Sequence, residues 1–252
     1  ITSMMGSTPV IDSQILIHQD LGQRELCFRT NPLDSMKKKT MKKVWENEEK
    51  EESMGKVLQE ITYGFLKNTE YKTDFKITPE IRTKIENLAL FLTYMRAPAE
   101  IDSFTGELLS DVTPEEPTRI LKQLKILFLA LKSLDKDYSD DRAIRVIKKV
   151  VMSSSHQKRL KIFEHLMENE VDLSTKKLSN LLRLGYKTIL REVNVLWNLD
   201  MITKKEVQVK DTGSRNRIVN HWHFNSKSNI LQNIKKVILD DKEDNKRGNQ
   251  NG

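Results

Sequence analysis

Between Gln157 and Phe224 the hydrophobic period changes from helical to alternating, and no other stretch limits the fold as tightly. Leu160, Phe163, Leu166 and Met167 place an apolar stripe on one helix, about Ser155–Asn169. Ser174 offers a hydroxyl cap to a second, short helix carrying Leu178, Leu181 and Leu182. Gly185 then supplies a tight turn. A third helix, about Tyr186–Leu199, is expected to bury Ile189, Val193, Leu196 and Trp197. Beyond it, Ile202–Lys210 holds Val207 and Val209 in alternation, and Asp211–Ser214 reads as a turn. Ile218, Asn220, Trp222 and Phe224 share one face of a returning strand.

Three helices with a tight turn, closed by a hairpin, describe a winged helix-turn-helix over about Ser153–Phe224. The outer face of the third helix carries Lys187, Thr188, Arg191 and Asn194, with Tyr186 at its start. Lys176 and Lys177 lie on the helix before it. The hairpin adds Lys204, Lys205, Lys210, Arg215 and Arg217. Such side chains suit phosphate and base-edge contact, so double-stranded DNA is the expected partner. Glu192 on the same helix is unfavourable near phosphate, and modules of this shape also dock proteins or act as spacers. Ser153–Phe224 holds 13 Lys and Arg against 8 Asp and Glu, most of the chain's formal excess of +7. His221 and His223 flank Trp222, but no further ligands cluster with them, so no metal site is expected.

The remaining composition narrows the class. A single cysteine, Cys27, excludes a disulfide within the chain and points to a reducing, cytoplasmic setting. No apolar run approaches the length of a membrane span, so no membrane partner is expected; Ile126–Leu131 reads as buried helix. The chain begins at Ile1 rather than Met, which suggests a fragment or processed product.

Upstream, the reading is helical. Asp34–Glu52 joins a lysine block to a glutamate block, as on a solvated helix. Val57, Ile61 and Phe65 lie on one helical face. Thr78-Pro79 is an N-cap followed by proline at the first helical position. That helix carries a buried stripe of Ile81, Ile85, Leu88, Leu92 and Met95. Arg96–Glu116 is loop, broken by Pro98, Gly106 and Pro114. Helices follow at Thr118–Leu134 and Ser139–Val151, the second capped by Ser139. Leu26–Phe28 has strand character, and Asp240–Gly252 is expected to be disordered.

Met4–Pro9, Leu21–Arg29, Ile77–Arg96, Thr118–Leu124 and Ala130–Lys148 together resemble the C-terminal half of AAA+ ATPases, most closely minichromosome-maintenance-type helicases and mobile-element ATPases. Met4–Pro9 looks like the strand end leading to sensor 1, with Thr8 where the family often has asparagine. Leu21–Arg29 resembles the arginine-finger segment and puts Arg24 at the finger, although Glu25-Leu26 departs from the pattern. Ile77–Arg96 is similar to the first lid helix, and Thr118–Leu124 resembles the sensor 2 segment, with Arg119 at its arginine. Ala130–Lys148 continues like later lid helices. The resemblance implies catalytic roles for Arg24 and Arg119, a nucleotide contact for Thr8, and ATP with Mg²⁺ in a full-length protein. A guanidinium supplied across a subunit boundary would stabilise charge on a transferring phosphoryl group. The chain contains no GxxxxGK[ST] loop, so no cofactor is expected on it alone and the nucleotide-binding half would lie elsewhere.

The expected architecture is therefore mainly α: a AAA+ core remnant (1–33), a lid-like helical domain (34–152), a winged helix-turn-helix (153–226), and a terminal helix with a tail (227–252). The expected function is the DNA-binding C-terminal portion of a helicase-like, replication-related ATPase. The alternative is a stand-alone winged-helix transcription regulator with a helical dimerisation region. The amphipathic Asn229–Leu239 stretch is placed to pair subunits in either case, so a homo-oligomer is expected. A protein-docking adaptor is a third reading.

Overall fold

A computed structural model describes residues 26–29, 34–68, 75–102, 104–134, 138–210 and 216–248. It is mainly helical, with one three-stranded sheet. Helix α1 (Asp34–Asn47) passes through a 3-10 turn (Glu48–Lys50) into α2 (Glu51–Asn68). Then come α3 (Pro79–Arg96), α4 (Thr118–Leu134) and α5 (Asp140–Ser154). The last part comprises α6 (Gln157–Asn169), β1 (Leu173–Ser174), α7 (Thr175–Leu182), α8 (Tyr186–Asn198), β2 (Ile202–Lys210), β3 (Asn216–Phe224) and α9 (Asn229–Gly248). Thr8, Arg24, the Asp211–Ser214 turn and Arg215 lie outside the described residues, as do the side chains of Lys210 and Arg217.

Helix starts follow their caps. Thr78 Oγ1 accepts from the Ile81 amide at 3.3 Å, Ser139 Oγ from Arg142 at 3.2 Å, and Ser174 Oγ from Lys177 at 3.3 Å. Each such bond satisfies an otherwise orphaned donor and stabilises by about 1 kcal/mol relative to alanine. His156 caps α6 in the same way through Nδ1, 3.4 Å from the Arg159 amide.

Helix α3 is the centre of the packing, with α4, α5 and α9 against it. The expected stripe of Ile81, Ile85, Leu88, Leu92 and Met95 is buried. Helix α6 packs against α8 and β3. Phe163 on α6 joins the two regions: its ring lies 5.6 Å from Phe91 of α3 and 5.8 Å from Phe224 of β3. Buried side chains from Ile81 to Ile238 thus form one continuous apolar core.

The sheet is antiparallel, in the order β1-β3-β2. Leu173 and Lys204 flank Trp222, and Ile202 faces Phe224. Ile218, Asn220, Trp222 and Phe224 therefore share a face, but only its base meets helices. Trp222 and Phe224 are buried while Ile218 is exposed. The Trp222 indole N–H donates to Thr175 Oγ1 at 2.9 Å, which lets that large ring sit in the core without an unsatisfied donor.

Several sequence expectations are corrected. The tight turn at Gly185 joins α7 to α8 as expected, but Gly185 itself is not left-handed; its φ is −59°. Arg183 takes that role instead, with φ 53° at the end of α7. A left-handed conformation is costly for a residue with a Cβ. Arg183→Gly is therefore expected to raise stability by about 0.5–1 kcal/mol, after the extra chain entropy of glycine; equilibrium denaturation with urea measures it. Trp197 is not buried, because it points past the edge of the core toward β2, where Lys204 Nζ lies 5.2 Å from its ring centroid. Ile126 is exposed, because α3 and α5 cover only one side of α4. The Asn229–Leu239 stretch keeps its apolar face within the chain: Leu231, Ile234, Val237 and Ile238 are buried, with α9 on α3. That helix continues to Gly248 rather than ending in disorder after Leu239, since no proline or glycine interrupts the polar segment earlier. Leu26–Phe28 is no strand; Cys27 N–H donates instead to Ser154 Oγ at 2.7 Å, at the end of α5. The Val57, Ile61 and Phe65 face of α2 is helical as expected, but exposed.

Candidate nucleic-acid interface

The placement of α8 decides what the chain presents. Ile189, Val193 and Leu196 anchor its inner face in the core. Between them Glu192 also turns inward, so it does not face a phosphate. Its Oε2 accepts from Arg159 Nε at 3.1 Å, and His156 Nδ1 lies 3.5 Å away. The Arg159 guanidinium is itself buried. Desolvation pulls it below its ordinary value, and the Glu192 carboxylate opposes that. Its Nη1 further donates to the carbonyls of Tyr94, Met95 and Ala97, at 3.3, 3.2 and 2.9 Å, at the end of α3. A cation at a helix C-terminus satisfies orphaned carbonyls and complements the helix dipole. One arginine thus fixes α6, α8 and α3 together. Arg96 adds a second tie, Nε to Ser154 O at 3.0 Å.

The predicted contact residues separate into two groups. Lys176, Lys177, Tyr186 and Lys187 are exposed, and Thr188 is half-buried beside them. Tyr186, Lys187 and Thr188 form the first turn of α8, where Gly185 offers no side-chain cap to the first amides, and Lys176 and Lys177 lie in the first turn of α7. Exposed Arg183 and Lys161 extend this basic end, with Lys161 Nζ 3.0 Å from Leu182 O. Arg191 and Asn194 belong to the second group. They are half-buried because the segment Ala97–Glu116 crosses the outer face of α8. Asn194 Nδ2 donates to Gly106 O at 3.2 Å, and the Val112 amide donates to Asn198 Oδ1 at 2.8 Å. Ala97, Val112 and Val195 close a small second core there.

The crossing segment has its own fold. Ile101 and Leu108 form a β-bridge, and Leu109 N–H donates to Glu100 O at 2.9 Å. Asp102 Oδ1 accepts from the amides of Phe104 and Thr105 at 2.8 and 2.6 Å. The Thr105 and Phe104 amides, then the Thr105 hydroxyl, hold its carboxyl below the usual carboxylate range, and nearby Arg191 adds to this. Gly106, at φ +76°, brings the backbone flat onto Leu190 and Arg191; a methyl group there would meet both at 3.6 Å. Pro98, Gly106 and Pro114 mark this tongue as loop and hide its packing on α8. Its signal was charge: Ala97–Glu116 holds six acidic residues and no lysine or arginine.

On the hairpin, Lys204 is half-buried, 3.6 Å from Glu206, and exposed Lys205 lies 3.5 Å from Asp172. His223 Nδ1 is 3.3 Å from the same aspartate. Among the described residues, no three His, Cys, Asp or Glu side chains converge as metal ligands. Arg119, in the first turn of α4, is half-exposed and ion-paired with Glu115. Among the described residues, no helix is long and apolar enough to cross a membrane. No protein-family model, curated protein or solved structure matches the chain.

Proposed function

We propose that the chain binds double-stranded DNA through α7, α8 and the β2–β3 hairpin, acting together as a winged helix-turn-helix. The observation that carries this reading is the exposed lysines in the first turns of the two helices, Lys176 and Lys177 on α7 and Lys187 on α8, the latter beside amides that have no side-chain cap. Helix N-termini and lysines are the groups that hold phosphates, and a recognition helix enters the major groove with its N-terminal residues foremost. The inward turn of Glu192 supports it, because the one acidic side chain of α8 is neutralised inside the protein.

We also propose that this DNA-binding unit belongs to a AAA+-type, helicase-like motor whose nucleotide-binding half lies elsewhere, with ATP and Mg²⁺ as that half's cofactors. This rests on the motif residues around Thr8, Arg24 and Arg119 and on the helical bundle α3–α5. Subunit pairing through Asn229–Leu239 supports neither this reading nor the regulator alternative, because that face is occupied by α3.

The test of DNA binding is fluorescence anisotropy of the full chain with a duplex oligonucleotide between 50 and 200 mM salt. The expected log–log slope is about −3 or steeper, from roughly 0.9 per phosphate contact. Absence of binding at low salt, or affinity indifferent to salt, overturns the reading. The motor proposal stands or falls on a phosphate loop encoded in the same reading frame upstream of Ile1.

A further inference from the structure

We propose that the tongue Ala97–Glu116 is an intramolecular competitor for DNA, lying where a duplex would meet the outer face of α8 and yielding to it on binding. This rests on the DNA reading above. Three observations on the tongue carry it independently of one another.

The first is position. Asn194, Arg191 and Asn198 point away from the core contacts of Ile189, Val193 and Leu196, and they are the side chains the tongue engages. Beyond its first turn, α8 cannot lie in a major groove while the tongue is in place. The second is charge. Six acidic residues with no basic one give this segment the sign of a phosphate backbone, laid across the helix that carries Lys187 and Arg191. The third is the weakness of the contact. In the small core beneath it Ala97, Val112 and Val195 are buried and Ala99, Ile101 and Leu108 partly buried, while Phe104 and Leu109 stand 85% and 66% exposed. Lifting the tongue therefore uncovers little apolar surface, and segments with few buried contacts open at low free-energy cost. Its internal bonds, Asp102 N to Glu107 O at 2.9 Å and Gly106 N to Asp102 O at 3.0 Å, let it move as a preformed hairpin.

A ligand that needs the open state binds with its affinity reduced by the open fraction. Two measurements on the full chain test this. One is amide hydrogen exchange at Val112, whose N–H is bonded to Asn198, with and without saturating duplex DNA. Exchange is expected to accelerate when DNA is added. The other is duplex affinity of the variant Glu100→Gln, Asp102→Asn, Glu107→Gln, Asp111→Asn. It removes charge but keeps the amide-accepting oxygen at position 102, and its expected affinity is about tenfold tighter than that of the unaltered chain. Unchanged or greater protection of Val112 at saturation overturns the proposal whatever the variant does. Equal affinity of the two proteins overturns the electrostatic competition. If neither protein binds duplex DNA, the DNA reading itself fails and the tongue proposal falls with it.

Discussion

Replacing Arg159 with alanine is expected to destabilise the chain by about 3–5 kcal/mol, the range for removing one partner of a buried ion pair. The reason is what stays behind. Glu192 keeps a carboxylate in a largely buried position beside His156, and three carbonyls at the end of α3 lose their donor. Unpaired buried polar groups carry the full cost of desolvation. Arg159→Ala with Glu192→Leu is expected to recover part of the loss, because the second change removes the orphaned charge. Urea denaturation of the two single variants and the double gives the coupling by a mutant cycle. A loss below about 1 kcal/mol for Arg159→Ala means that the arginine does not hold the junction.

The second large effect is on binding. Reversing three exposed charges, Lys176→Glu, Lys177→Glu and Lys187→Glu, is expected to weaken duplex binding roughly 100-fold near 100 mM salt, with little change in stability. The salt slope is expected to flatten by about 2–3, near one unit per lost phosphate contact. These side chains are exposed, so unfolding is not the expected cause of the loss. The matching circular dichroism spectrum and denaturation midpoint check that. Full affinity in the triple variant would move the contact to the hairpin.

Much of the fold was legible because it is local. Thr78, Ser139 and Ser174 cap helices as their sequence neighbours require, and the apolar spacing of α3, α4 and α8 selects their inner faces. What escaped depends on partners distant in sequence. Trp197 fits the apolar pattern of α8, yet the core ends before it reaches that side. The Asn229–Leu239 stripe announces a buried face without naming its partner, which is α3 of the same chain. Glu192 reads as a liability until Arg159, 33 residues earlier in the chain, is found against it. The exposed lysines at the starts of α7 and α8 were legible; the covering of Arg191 and Asn194 was not, because it comes from a segment whose contact, Gly106 to Asn194, spans 88 residues.

The aromatic series Phe91–Phe163–Phe224 and the Arg159 bonds tie α3, α6, α8 and β3 to one another. A load applied along the bundle would reach α8 as a rotation of the whole body, in the manner of a crank rather than a tether. Anything gripping α8 would then report the angle of α3, and anything turning α3 would turn what α8 holds.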